Sequence, residues 1–362
     1  PFQRERYWIE TTEKGRGGTG VPPRAGRASH HPLLGQRLAS PLKHIQFESQ
    51  LHVNSAPLIN DHRIYGMAVV PGVVYMEMVL AAAEENLKVD TDDLLIADLA
   101  IMQPLVLDDA PPPPTGEPNG NVLGPAQTVQ VILTPDNTGG ASFQIFSEHG
   151  EGEPWRLHVS GKLRRGQVSD SRNGADIRPS FREQISLEEI RARCQVEHSR
   201  NGGEAPQNGE ALSGTEFYQT IWNPEFQLGP SFQCIEKLWR RDGEVLAQMR
   251  LPEMPAPYIV RPDLLVLDAC VQLFMAALPR GGREEAVYVG TGQESCRVYG
   301  PLPSAPLWCH ALLRNREDYQ EAITGDFRLY DESGKMVAEV AGVSLKQISR
   351  ETLQRMARVS TA

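Results

Sequence analysis

The chain has 362 residues, 40% of them hydrophobic and 23% charged, with a formal net charge of −10. That length exceeds one typical domain and fits two compact units with linkers. The acidic balance argues against general nucleic-acid binding, which needs a basic footprint. The five cysteines, Cys194, Cys234, Cys270, Cys296 and Cys309, form no Cys-x-x-Cys pair and are odd in number. Neither a zinc site nor a disulfide framework is indicated, and a reducing cytoplasm is the expected setting. No apolar run approaches the ~20 residues needed to span a bilayer and no signal peptide is visible, so no membrane partner is expected.

Residues 1–29 open with Pro1-Phe2-Gln3-Arg4-Glu5-Arg6-Tyr7-Trp8 and run into a Gly/Arg/Pro-rich stretch; a start without methionine reads as an excised piece. From His31 to about Arg165 the pattern is mainly β, with strands expected near Ile45–Val53, Leu94–Leu107, Thr128–Leu133, Phe143–Ser147 and Trp155–Lys162. Within this region, Asp61-His62-Arg63-Ile64-Tyr65-Gly66-Met67-Ala68-Val69-Val70-Pro71-Gly72 is a short β-rich run. Gly66 there is expected to allow close backbone approach, and Pro71-Gly72 signals a turn. Val73 to Glu85 follows without a helix breaker and is apolar nearly all round, which predicts a helix buried in a core. Residues 110–124 are rich in proline and glycine and read as a surface loop.

Residues 166–210 are polar and irregular, a linker with one expected helix at Leu187–Cys194. A second unit starts near Leu212 and repeats the organisation of the first. A helix is expected over Gly214–Trp222, then Phe226-Gln227-Leu228-Gly229-Pro230-Ser231-Phe232-Gln233 and a strand through Trp239. Val260 to Asp268 leads into an apolar helix expected over Ala269–Leu278, and strands are expected at Tyr288–Val298, Leu307–Arg314, Asp326–Tyr330 and Met336–Gln347. Two such units predict an α+β chain in which sheets wrap buried helices.

Chemistry-bearing residues concentrate in three of these segments. His62 stands just ahead of a buried helix, with Gly66 four residues on and Pro71 five beyond that. Histidine suits a general base because its unperturbed pKa lies near neutrality. Asp268 follows Leu264-Leu265-Val266-Leu267 and opens an apolar helix, where burial would keep its carboxyl protonated and fit to act as an acid. Aspartate at such a place is also a favoured N-cap. Gln272 lies four residues later on the same helix face. No glycine-rich nucleotide loop, metal-ligand cluster or Gly-x-Ser-x-Gly elbow stands out.

The spacing His62-x-x-x-Gly66-x-x-x-x-Pro71 resembles the active-site motif of dehydratase domains of modular polyketide synthases and their fatty acid synthase relatives. Pro1 to Trp8 resembles the linker that follows the acyltransferase in those synthases. Leu267-Asp268-Ala269-Cys270-Val271-Gln272 resembles the family's second catalytic motif, an aspartic acid with glutamine or histidine four residues on. Gly229-Pro230-Ser231-Phe232 resembles a third, Tyr-Gly-Pro-x-Phe, which lines the tunnel, although Phe232 also reads simply as core. His31 too stands four residues before a glycine, but position 40 is Ser40 rather than proline, so it reads as structural.

The resemblance implies a double hotdog fold, two hotdog halves each with a sheet around a helix. The expected boundaries are a linker over 1–29, hotdog halves over 30–165 and 211–352, an inter-half linker over 166–210 and a tail over 353–362. It implies dehydration of a 3-hydroxyacyl chain carried on the phosphopantetheine of an acyl carrier protein, with His62 as base, Asp268 as acid and no other cofactor. Gln272 would support the acid, while Tyr65, Gly66, Pro71, Leu228, Gly229, Pro230 and Phe232 would shape the substrate site. The expected partners are the carrier protein, neighbouring synthase domains and a second copy in a homodimer. Two departures stand out. Leu228 occupies the family's tyrosine position, and five residues rather than three separate Pro262 from Asp268. Rival readings are a dehydratase-like isomerase or oxa-Michael cyclase, and a silent dimerising scaffold.

Overall fold

A computed structural model describes residues 27–53, 57–87, 94–109, 125–148, 153–165, 186–196, 211–220, 222–252, 260–279, 286–303, 306–314 and 322–358. The Pro1–Trp8 segment, the 110–124 loop and most of the 166–210 linker lie outside them.

The first half runs β1 (Arg27–Ala28), β2 (Gln36–Leu38), β3 (Ile45–Leu51), α1 (Pro57–Asn60), β4 (His62–Ile64), β5 (Met67–Val69), α2 (Gly72–Leu87), β6 (Leu94–Ile101), β7 (Val106–Leu107), β8 (Gln127–Pro135), β9 (Ala141–Ser147) and β10 (Arg156–Arg165). After α3 (Leu187–Val196) come β11 (Leu212–Ser213), α4 (Gly214–Thr220), β12 (Phe226–Leu228), a 3₁₀ turn (Pro230–Phe232), β13 (Ile235–Arg241), β14 (Glu244–Met249), α5 (Pro262–Ala277), β15 (Val287–Val298), β16 (Leu307–Leu313), β17 (Ala322–Tyr330), β18 (Met336–Ile348) and α6 (Arg350–Arg358).

Fourteen strands form one sheet in the order β1-β2-β3-β8-β9-β10-β6-β15-β18-β17-β16-β14-β13-β11. Their period-2 pattern sends alternate residues inward: Ala141, Phe143 and Ile145 of β9 are buried while Ser142 and Gln144 are exposed. The two halves join where β6 pairs with β15, from Ala100 opposite Gly292 to Leu95 opposite Arg297. One half of the sheet packs on α2, the other on α5, and the two helices also touch each other. That is why Val73 to Ala83 are buried without interruption, a pattern an ordinary surface helix does not show. The expected double hotdog is the observed architecture.

Three elements differ from expectation. Helix α5 starts at Pro262, not Ala269, with Pro262 at its first turn and Arg261 as N-cap. A proline there gives up no hydrogen bond, and a short apolar run such as Leu264–Leu267 does not distinguish strand from buried helix. Asp268 therefore lies inside the helix, and the N-cap alternative falls. Residues 353–358, expected as tail, continue α6, where Leu353 is wholly buried. The expected Leu94–Leu107 strand is split into β6 and β7, which belong to different sheets. Among the described helices none is long and apolar enough to cross a membrane, and all five cysteines are buried and unpaired.

Helix α3 docks on the outer side of the second half, with Ile190 and Cys194 against Trp239 and Leu246. Beneath it, buried Glu244 accepts hydrogen bonds from Arg193, Arg241 and His310. Burial alone would push this carboxyl up, but these partners outweigh it and hold it at about 2. Replacing Glu244 with Gln removes the buried carboxylate that Arg193 and Arg241 share and is expected to cost roughly 1–3 kcal/mol of unfolding free energy at neutral pH. Because the folded carboxyl is depressed, the difference should fade as pH falls from about 4.5 towards 2. Urea titration across that range checks both the size and the sign.

Candidate active site

A cavity of about 410 Å³ lies between the halves, and His62, Asp268 and Gln272 all line it. Most of the remaining wall is apolar, including Leu228 and Val271, and one end reaches Thr352, Leu353 and Met356 of α6.

His62 owes its position to a tight hairpin. Strands β4 and β5 pair from Arg63–Ala68 to Ile64–Met67, leaving Tyr65-Gly66 as a two-residue turn. Both turn residues have positive φ, 52° and 82°, as a type I′ turn requires. No atom lies within 4 Å of a Cβ built on Gly66, so its role is conformational and the expected close approach is corrected. Arg63 donates to the Gly66 carbonyl at 2.7 Å and pairs with Asp109.

Across the hairpin, the Nδ1 of His62 lies 2.8 Å from the Val69 carbonyl oxygen. A carbonyl can only accept, so Nδ1 carries the proton and Nε2 keeps its lone pair. The ring packs edge-on against Phe226 (4.9 Å) and beside Phe232 (5.4 Å). Burial lowers the imidazole pKa to about 4 despite the Val69 hydrogen bond, so His62 is neutral at pH 7.

The second half reaches directly into this hairpin. β12 pairs with β4, placing Leu228 opposite His62 on the same sheet face. The Gly229 amide then donates to the Asp61 carbonyl at 2.7 Å. A Cβ on Gly229 would stand 2.2 Å from Asp61 Cγ, so only glycine allows this approach.

Asp268 occupies the second turn of α5 and lines the cavity. Burial raises its pKa to about 6, while a hydrogen bond from Gln272 pulls the other way. Gln272 Nε2 lies 3.1 Å from Asp268 Oδ2 and 3.1 Å from the Phe232 carbonyl oxygen. Tyr218 of α4 donates to Gln272 Oε1 at 2.8 Å. Tyr218 carried no role in the sequence reading; its only signal was a tyrosine on a short helix just ahead of the Gly-Pro motif, where a buried hydroxyl must find a partner.

The other sequence candidates, Leu228 excepted, frame the site rather than line it. Tyr65 turns its hydroxyl to the Ile348 carbonyl at 3.0 Å and lies under Arg350. Pro71 accepts from the Val74 amide where α2 starts, and Pro230 opens the 3₁₀ turn that seats Phe232 in the core. Leu228 alone of the seven lines the cavity itself. His31 lies 3.4 Å from Glu77, which also accepts from the Arg261 amide and side chain, in keeping with a structural role.

Comparison with known proteins gives this geometry a family. A model described as polyketide synthase dehydratase domain matches residues 31–114, and one described as polyketide synthase dehydratase N-terminal domain matches residues 197–355. The chain belongs to the polyketide synthase dehydratase family. Polyketide synthase GfsE of Streptomyces halstedii is 25% identical over 97% of this chain, which spans 8% of that protein's length. The dehydratase domain from the CurJ module of curacin polyketide synthase is 29% identical with a TM-score of 0.67, covering 89% of this chain and 99% of that domain. A second structure, described as the CurJ dehydratase inactive histidine-to-phenylalanine mutant in complex with a compound, is 28% identical with a TM-score of 0.66, covering 90% and 99%.

The contact between the two family motifs is sterically exacting. Gly229→Ala is expected to destabilise the domain by roughly 1–3 kcal/mol, since the Asp61 side chain, whose Cβ and Cγ both stand in the way, must move to admit the methyl group. Gly66→Ala should cost less, roughly 1–2 kcal/mol, through positive φ alone. Urea denaturation of both variants tests the order, and a harmless Gly229→Ala would contradict the packing described.

Proposed function

We propose that this domain eliminates water from a 3-hydroxyacyl thioester to give the 2,3-enoyl thioester during polyketide elongation, with His62 as base and Asp268 as acid. The observation that carries the proposal is the pair of protonation states in one cavity: an imidazole kept neutral with Nε2 free, and a carboxyl whose pKa is raised. The inactivity of the CurJ histidine-to-phenylalanine mutant supports the same reading.

In this reading, Nε2 of His62 takes the α-proton, made acidic by the thioester carbonyl. The C–H electron pair becomes the second bond between the α and β carbons. The β-carbon–oxygen bond breaks as Asp268 gives its proton to the hydroxyl, which leaves as water. Imidazolium and carboxylate remain, and one proton passing from His62 to Asp268, by way of water, resets the site. Atoms and electrons balance without an oxidant or reductant, in keeping with a reaction that uses no cofactor beyond the carrier's arm. Leu228, opposite His62, makes the adjoining wall apolar, so the substrate's hydroxyl is handled by Asp268, which Gln272 holds in place. The substrate's carrier is the phosphopantetheine arm of an acyl carrier protein, within a homodimeric multidomain synthase.

Mass spectrometry of carrier-bound 3-hydroxyacyl chains should show loss of one water, and His62→Phe or Asp268→Asn should slow it by roughly 10²–10⁴-fold. Unchanged mass, with no isomer or cyclised product on chromatography, would favour the scaffold. For the free enzyme, kcat/KM should rise with pH through about 4 as His62 loses its proton. It should fall through about 6 as Asp268 loses the proton it must donate. A profile with the limbs assigned the other way, by loss of the falling limb in a His62 variant, would overturn the roles.

A further inference from the structure

Gln272 is 3% exposed, so both ends of its amide must be satisfied within the fold. One end faces the Phe232 carbonyl at 3.1 Å. That oxygen can only accept, which identifies the facing amide atom as nitrogen and turns Oε1 towards Tyr218. The Tyr218 hydroxyl has one proton. It lies 2.8 Å from Gln272 Oε1 and 3.3 Å from the Phe232 carbonyl, so the shorter contact receives the donation. The second N–H of Gln272 is then directed to Asp268 Oδ2 at 3.1 Å.

We infer that Tyr218 is a positioning residue for the acid: its hydroxyl fixes the Gln272 amide, Gln272 claims Oδ2, and Oδ1 is left to carry the proton given to the substrate. The chain runs from α4 through the middle of α5 to the cavity, and every link is a donor facing an acceptor. Position 228, which in the resembling motif carries a tyrosine hydroxyl, holds leucine, so Tyr218 is the phenol that bears on the acid. This deepens the dehydratase reading and rests on it for the identity of the proton's acceptor.

Other groups around the acid stay silent in the working range. Tyr218 on α4, Cys234 ahead of β13 and Cys270 on α5 feel the Asp268 charge, and Arg250 after β14 acts on Tyr218 and Cys234. Burial pushes Cys234 up to about 12, and holds Tyr218 and Cys270 far above their ordinary values. Across the cavity His62 titrates near 4. Between pH 5 and 8 the carboxyl is therefore the group of this cluster that changes charge.

Removing the hydroxyl in Tyr218→Phe leaves Oε1 buried without its donor, so the amide loosens or flips and its bond to the ionised carboxylate weakens. The test is carbon-13 NMR of Asp268 through a pH titration in wild type, Tyr218→Phe, Gln272→Met and the double variant, beside kcat against pH with a 3-hydroxyacyl pantetheine thioester. The expected result is an upward shift of the Asp268 titration by about half to one pH unit in each single variant. The double variant should shift no further than Gln272→Met, and the falling limb of kcat should move by the same amount. At the plateau kcat should drop roughly tenfold as the acid loses its alignment. A Tyr218→Phe titration that superposes on wild type, or shifts that add in the double variant, would overturn the inference. If Tyr218→Phe does not fold, an unshifted Gln272→Met titration overturns it and a shifted one supports the link on which it depends. The titration needs no turnover: shifted NMR with an inactive wild type supports the relay and sinks the dehydratase reading, whereas an active wild type with unshifted NMR does the reverse.

Discussion

The pairing of Phe226–Leu228 with His62–Ile64 makes one site out of two halves. Three residues of the second half complete a small sheet whose other strands belong to the first. That short ladder sets Leu228 opposite His62, brings Phe226 and Phe232 against the imidazole, and forces Gly229 into contact with Asp61. The larger β6–β15 junction holds the halves side by side, and α2 and α5 pack together beneath it. Neither half alone could surround His62, because two of the rings that desolvate it come from the other.

One physical cause gives the two candidate groups opposite assignments. Removing water penalises charge, so it drives an imidazole to lose its proton and a carboxyl to keep one. His62 and Asp268 are both pushed towards neutrality for that reason. A pair charged the other way, imidazolium and carboxylate, would reverse the two roles, leaving His62 a proton to give and Asp268 one to take. Local hydrogen bonds then choose the atoms. The Val69 carbonyl occupies Nδ1 of the histidine, and the Gln272 amide occupies Oδ2 of the aspartate. Binding a largely apolar chain would remove more water still and reinforce both preferences.

Much of this was legible in the sequence where local geometry dictates the residue. The β-rich run around His62 and the break at Pro71-Gly72 before the buried helix were read correctly, whereas Gly66 was expected to allow a close approach and instead supplies the positive φ of the hairpin turn. The buried helices and most long strands followed from apolar pattern. What was hidden depends on long-range packing. Leu264–Leu267 fits a strand or a buried helix, and only α5's place under the sheet decides for helix. Helix α6 has too little apolar sequence to announce itself, yet Leu353 and Met356 pack beside Ile64 and Val69 of the histidine hairpin. The link from Tyr218 to Gln272 joins residues 54 positions apart, and nothing in either segment names the other.

The most direct test of the account is nitrogen-15 NMR of the His62 ring in the intact domain between pH 5 and 8. A neutral imidazole with its proton on Nδ1 throughout that range is the predicted result, since the Val69 carbonyl holds that proton and burial excludes the second. A ring protonated on both nitrogens near neutrality, or a neutral ring with its proton on Nε2, would contradict the claim that this cavity presents a base to its substrate.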